Sequence, residues 1–218
     1  MTTSGFFLVL EGPEGAGKST LGAALARRMR DVGIDPVLVR EPGGTPAAEH
    51  VRQAFLDPAS RFEPVSELLF VTAARANLVH EVIRPALRAG RVVLSDRFDL
   101  STTAYQGAGR GLEPATVEFV NRCATGGLIP DVTLVLDLPP AIGRARQSAA
   151  GKAMDRMERE DAAFHERVAA AYLGARGPGI FHLDGAASAP AVLEAAWHRL
   201  QHERADTFGA PDTGSDSR

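Results

Sequence analysis

The sequence predicts an α/β protein: a parallel five-stranded sheet flanked by helices. Three observations predict it. Five short apolar runs punctuate the chain, stretches of helical period fall between them, and a glycine-rich loop separates the first run from the first helix. Strands alternating with helices imply a parallel sheet covered on both faces, because each crossover lays its helix back onto the sheet.

The elements follow in order. Phe6-Phe7-Leu8-Val9-Leu10 is continuously apolar, as a strand buried on both faces requires. After the glycines, Thr20 to Val32 carries Leu21, Leu25, Met29 and Val32 at helical spacing, and Gly33 supplies a C-terminal stop. Val37 to Val39 is the second strand, Arg91 to Ser95 the third, Val132 to Asp137 the fourth and Ile180 to Leu183 the fifth. Helices are expected over Ala47 to Leu56, Val65 to Ala89, Pro114 to Thr125, Asp161 to Leu173 and Ala189 to Glu203. There is no internal repeat, so one domain is expected over residues 4–203. Residues 204–218 are rich in Gly, Ser, Asp, Thr and Pro without periodicity and read as a disordered tail.

Bulk properties bound the function. At 218 residues the chain can bury the core of one such domain, and 44% hydrophobic with 23% charged residues is ordinary for a soluble globular protein. A net charge of −3 gives no basic footprint for a nucleic-acid polymer, though a small anion needs only local positive charge. Cys123 is the only cysteine, which excludes an intramolecular disulfide and a cysteine-based zinc cluster. With no histidine nearby it reads as buried filler and not as a nucleophile. No apolar run approaches the roughly 20 residues that cross a membrane. The N-terminus lacks a charged segment and small-residue cleavage site, so a reducing cytoplasm is the expected location.

Chemistry first appears at Gly12-Pro13-Glu14-Gly15-Ala16-Gly17-Lys18-Ser19, followed by Thr20, which fits G-x-x-x-x-G-K-[ST] between a strand and a helix. Glycines let backbone N–H groups converge on phosphate oxygens, and the helix N-terminus adds a favourable dipole. Lys18 would reach the β- and γ-phosphates of ATP, and the Ser19 hydroxyl would ligate Mg²⁺. This loop says nothing about what accepts the phosphate. Three further segments bear on that. Arg40-Glu41-Pro42-Gly43-Gly44-Thr45 follows the second strand, Asp96-Arg97-Phe98 ends the third, and Asp99 to Gly107 continues from it. All lie at the carboxyl edge, where open α/β sheets bind ligands. Asp96 can hold water on Mg²⁺, and Arg97 can grip a phosphate bidentately.

Taken together, the phosphate loop, Arg-Glu-Pro-Gly-Gly-Thr, Asp-Arg-Phe and Ser-Thr-x-Ala-Tyr-Gln-Gly, in that order, resemble the bacterial thymidylate kinase family, over about Phe6 to Leu200. The resemblance implies the P-loop NTPase fold in its nucleoside monophosphate kinase form, transfer from ATP to dTMP with Mg²⁺, and a homodimer. It implies that Arg97 and Arg75 hold the thymidylate phosphate and base, that Glu14 lies near the sugar 3′-hydroxyl, and that Pro42 walls the pocket. Thr102 and Tyr105 would flank the nucleoside, with Arg40 and Gln106 supplied by the same motifs. Asp184-Gly185-Ala186 falls where relatives contact adenine. Residues 139–157 would form a lid, whose Arg144, Arg146 and Lys152 are candidates to neutralise transition-state charge, Arg146 and Lys152 foremost, with Arg156 orienting it. Two positions depart from the family. An aromatic that relatives place four residues before the helical arginine, to stack on thymine, is here Phe70, five before Arg75, with Val71 in the usual place. Asn77 stands where glutamine is common. The open alternatives are a kinase of another mononucleotide or deoxynucleoside, and a P-loop regulatory switch. A GTPase switch should carry Asn-Lys-x-Asp, which this chain lacks.

Overall fold

The computed structural model describes residues 5–149, 151 and 154–209. Strands β1 (Phe6–Glu11), β2 (Val37–Arg40), β3 (Val92–Asp96), β4 (Val132–Asp137) and β5 (Ile180–Asp184) form one parallel sheet in the order β2-β3-β1-β4-β5. Central β1 is buried at every position because both faces are covered. Phe6, Leu8 and Leu10 pack with Leu25, Met29 and Trp197 on one face, while Phe7 and Val9 pack with Leu78, Ile83 and Phe98 on the other. Leu10 lies opposite Asp96, and Arg40 lies opposite the same residue, so the ends of β1, β2 and β3 come level at one edge.

The helices follow local rules. Helix α1 (Lys18–Asp31) opens on Gly17 in the left-handed region, φ 95°. Helix α2 (Pro46–Leu56) has proline in its first turn and Thr45 as cap, its Oγ1 accepting from the Ala48 N–H at 3.2 Å. Helix α3 (Pro64–Leu78) passes through a π-helical turn, Val79–Ile83, into α4 (Arg84–Arg88). Helix α6 (Pro114–Thr125) buries Val117, Asn121 and Thr125, one stripe at a spacing of four. Cys123 is exposed, contrary to its reading as core filler, since two residues beyond Asn121 is about 200° around the helix. Helices α8 (Ala162–Gly174) and α9 (Ala189–Glu203) complete the layers, α8 capped by Asp161, whose Oδ1 accepts from the Phe164 N–H at 2.7 Å.

Three helical pieces lie outside the expected set. Helix α5 (Asp99–Thr102) continues into a π-helical segment, Thr103–Gly109, where burial of Ala104, Tyr105 and Gln106 overrides the weak propensity of a Thr- and Gly-rich stretch. Helix α7 (Pro140–Ala149) occupies the start of the expected lid. Helix α10 (Ala205–Phe208) corrects the tail: Phe208 is 3% exposed, its ring 5.2 Å from Phe6 and 5.8 Å from Trp197. A single aromatic docked on an existing core orders the segment that composition alone suggests is loose; residues 210–218 lie outside the described residues. No described helix is long and apolar enough to cross a membrane.

Candidate active site

The loop between β1 and α1 is shaped by backbone crowding. A Cβ on Gly12, φ 138°, would lie 2.6 Å from the Leu136 carbonyl oxygen, and one on Gly15, φ 73°, would lie 2.5 Å from that of Gly143 on α7. Lys18 is buried, its Nζ donating to the carbonyls of Gly12 at 2.9 Å and Pro13 at 2.8 Å. Burial first, and then the Arg97 cation, pull its pKa down to about 8. Ser19 donates from Oγ to Asp96 Oδ2 at 2.8 Å, a contact set by the β1–β3 register, and Thr20 beside it is exposed on α1.

Arg97 leaves β3 with φ 76°, a costly conformation for a side-chain-bearing residue. The Arg97 N–H donates to the Leu10 carbonyl at 2.9 Å, and Ser95 Oγ donates to the Arg97 carbonyl at 2.6 Å. Its guanidinium reaches Glu14 at 2.5 Å, the Tyr105 hydroxyl at 3.1 Å, the Tyr172 hydroxyl at 3.0 Å and Ser101 Oγ at 3.1 Å. Tyr105 in turn donates to Glu14 at 2.9 Å. Burial opposes ionisation of Glu14, but the charges of Arg97 and Lys18 outweigh it and hold its pKa at about 2. Beneath them Glu11, fully buried, accepts from the N–H of Phe98 and Ser101 and from the hydroxyls of Ser101 and Tyr172.

Across the cleft, Arg75 has every donor engaged. Nε and NH2 meet Glu41 Oε2 at 2.7 and 2.6 Å, NH1 meets Thr102 Oγ1 at 2.8 Å and Asn121 Oδ1 at 2.6 Å, and NH2 meets the Phe98 carbonyl at 2.8 Å. The other oxygen of Glu41 is buried without a partner among the described residues, and burial pushes this carboxyl up to about 7 despite the opposing charge of Arg75. The cleft between the two halves has a volume of about 790 Å³. Pro42, Val71, Arg75, Thr102, Tyr105 and Gln106 line one end. Arg40 lies on its wall and pairs with Glu49 at 3.1 Å.

Phe70 does not reach the cleft. It packs with its ring 5.0 Å from that of Phe62, and Val71 takes the lining position. One residue is about 100° of helix, and no distortion of α3 turns Phe70 back. The same arithmetic separates two cations on α7. Arg146 lines the cleft, donating to the carbonyls of Gly15 at 3.2 Å and Gly185 at 2.9 Å, whereas Arg144 lies outside the lining. Lys152 lies outside the described residues. Gly12 and Pro13 sit behind the loop's cleft face, and Asp184 stays off the wall while Gly185 and Ala187 line it.

Sequence reading passed over a charged hub. Glu67 on α3 is fully buried and accepts from Gln106 Nε2 at 2.8 Å, Arg110 Nε at 3.1 Å and NH2 at 2.9 Å, and Arg156 NH1 at 2.6 Å. Burial alone would raise its pKa; hydrogen bonds from the two arginines and Gln106 win and lower it. It ties the cleft wall at Gln106 to Arg156 in the turn after α7, whose neighbours Asp155, Met157 and Glu158 also line the cleft. The signal was present: Glu67, Val71 and Arg75 lie at spacings of four, so a carboxylate shares the stripe that faces the cleft. Glu11 and Tyr172 carried no such local signal.

A phosphate loop at the carboxyl edge of a parallel sheet, with a second polar half-site across one cleft, defines the P-loop nucleoside monophosphate kinase architecture. Comparison with known proteins narrows this. The family model described as thymidylate kinase matches residues 10–194. A thymidylate kinase of Pseudomonas putida (strain GB-1) is 52% identical over 193 residues, covering 87% of this chain and 91% of its own, and one of Deinococcus radiodurans is 48% identical over 171 residues, 78% and 82% respectively. The crystal structure of thymidylate kinase from Ehrlichia chaffeensis superposes with a TM-score of 0.72 at 27% identity, over 91% of this chain and 99% of the other. The chain belongs to the thymidylate kinase family.

Proposed function

We propose that this protein transfers the γ-phosphoryl group of ATP to dTMP, giving dTDP. The observation that carries the reading is one cleft holding a phosphate loop at one end and an arginine-rich polar pocket at the other, with Arg97 and Glu14 between. Lys18 exchanges its two loop carbonyls for phosphate oxygens when ATP binds, and the loop N–H groups from Glu14 to Thr20 cradle the anion. Contact with phosphate restores the full charge that burial weakens on Lys18. Arg97 anchors the acceptor phosphate, released by Glu14, which moves to the sugar 3′-hydroxyl. Pro42, Val71 and Tyr105 shape the nucleoside pocket. Arg75 is its floor: by donating to Thr102 Oγ1 it leaves that hydroxyl's own proton for a base carbonyl. Gln106 and Arg40 close the pocket from either side.

Because the transition state is loose, catalysis here is positioning plus charge stabilisation, with no strong base required. Arg146 supplies the cation from α7 at the phosphate-loop end. The residues fit Mg²⁺: Ser19 Oγ and Asp96 Oδ2 are hard oxygens 2.8 Å apart at the loop mouth. Among the described residues no group of three or more His, Cys, Asp or Glu could hold a metal, as suits an ion that takes its remaining ligands from phosphate and water. When bound it would neutralise charge on the phosphate oxygens. A homodimer in the cytoplasm completes the reading; exposed Val65 and Leu69 on α3 and Phe119 on α6 are apolar surface suited to a second copy.

The test is coupled ADP production across a panel of nucleoside monophosphates. Thymidylate should lead and deoxycytidylate should fall far behind in kcat/KM, because a hydrogen-bonding pocket rejects a mismatched polar pattern strongly. Equal values would overturn the acceptor assignment and leave the phosphate loop standing. Near-normal turnover in a folded Lys18→Ala variant would overturn both.

A further inference from the structure

Outside the cleft, the loop between α2 and α3 and the turn after α7 enclose a second cavity of about 290 Å³. Arg61, Arg110, Arg156 and Arg159 line it, with Glu160 as its one carboxylate and Phe62 against its side. Arg110 is matched, by Glu160 at 2.6 Å and by the buried Glu67 at 2.9 Å. Glu67 also takes Arg156 NH1, and both its oxygens are then used. Two guanidiniums remain with no described carboxylate in an ion pair. Among the described residues Arg61 donates only to the carbonyls of Pro58 at 2.9 Å and Ser60 at 3.0 Å, and Arg159 only to that of Met154 at 3.0 Å. Arg156 is held rigidly, its guanidinium 4.7 Å from the Phe55 ring and 4.9 Å from the Phe62 ring, with Nε on the Phe55 carbonyl at 2.8 Å. Its NH2 is buried and has no hydrogen-bond partner among the described residues.

Four guanidiniums against two carboxylates leave an excess of two positive charges around one small cavity, with Arg110 and Arg156 held by ion pairs and Arg61 and Arg159 on exposed side chains. We propose that this cavity binds a small phosphate-class oxyanion, gripped by the exposed Arg61 and Arg159 with the guanidinium charge of Arg156 behind them. Guanidinium forks suit tetrahedral oxyanions, and the cavity lies at the lower end of ligand-pocket sizes, which favours phosphate or pyrophosphate over a whole nucleoside. Arg156 and Arg159 belong to the turn whose other residues line the cleft, so an occupant would brace that turn from behind.

The test uses the full chain with its cleft filled by a saturating adenosine–thymidine bisubstrate polyphosphate. Inorganic phosphate and pyrophosphate are each titrated calorimetrically. One saturable site per chain is expected, weakened at least about tenfold in Arg61→Ala and in Arg159→Ala, both exposed and free of core contacts. A tighter fit for pyrophosphate assigns the site to a phosphate tail, and equal affinities assign it to a single phosphate. The same titrations on Lys18→Ala without the bisubstrate separate this site from the phosphate loop even should the proposed reaction prove wrong. No saturation below about 10 mM, or binding undiminished in both arginine variants, would overturn the proposal.

Discussion

Replacing Glu67 by glutamine removes one charge from a place where two cations depend on it. The carboxylate is fully buried and accepts from Gln106, Arg110 and Arg156. Glutamine preserves the shape but turns an amide NH2 toward guanidinium donors. Arg110 keeps Glu160 at 2.6 Å as a counterion, whereas Arg156, with a side chain 9% exposed, keeps only a backbone carbonyl. Leaving such a charge uncompensated costs about 3–5 kcal/mol. In a chain of this size that lowers Tm by roughly 6–20 °C. Scanning calorimetry at pH 7 measures it. The cost belongs to the stranded charge, so adding Arg156→Met to Glu67→Gln should recover part of the loss, a coupling of about 1–3 kcal/mol. The acid side offers a second check. Because the folded pKa of Glu67 is lowered, its contribution is present above the ordinary carboxylate pKa and is lost as pH falls through the folded value, a loss the variant should not show. A Tm within about 3 °C of the parent, or strict additivity in the double variant, refutes the argument.

The remaining expectations are shorter. Arg146→Ala should lower kcat by about 10²-fold or more with little change in acceptor KM, as for a lost transition-state donor, while Arg144→Ala should stay within about threefold; the reverse order would move the charge to the outer face of α7. Glu41 has a folded pKa raised to about 7, so the stability it favours is present below its ordinary value and lost as pH rises through 7; Glu41→Gln should flatten that part of the stability curve, and parallel curves would count against the assignment. Phe70→Ala should cost about 1–3 kcal/mol of stability, less than for a fully buried ring, and leave acceptor KM unchanged. A raised KM there would restore the stacking role that the family resemblance implied despite its shifted spacing.

How much was legible depended on whether the signal was local. Strands β1, β3 and β4 could be read to within a residue because a strand covered on both faces must be continuously apolar. The phosphate loop was legible because its chemistry fixes residue types at fixed spacing. Failures came where a distant partner decides. Thr103 to Gly109 has weak propensity for helix and becomes helical under burial of Tyr105 and Gln106. Phe70 and Val71 exchanged roles through a single step of helical phase, which a motif match cannot correct. Phe208 was hidden in a polar tail, since the groove it fills needs Phe6, at the other end of the chain, beside Trp197. Glu11, Glu67 and Tyr172 looked unremarkable singly and matter only as partners.

The contact between Gly15 and Gly143 has a consequence for how this enzyme can vary. A Cβ on either glycine would run into the backbone of the other segment: Gly15 into Gly143, and Gly143 into the Glu14 carbonyl. Side-chain obstacles can be trimmed by a second substitution; a carbonyl cannot. An alanine at either position therefore has no compensating partner among the side chains and can be accommodated only by lifting the first turn of α7 off the phosphate loop. The two segments can lie this close only while both positions stay glycine, and Arg146, three residues further along α7, reaches the Gly15 carbonyl beside that contact.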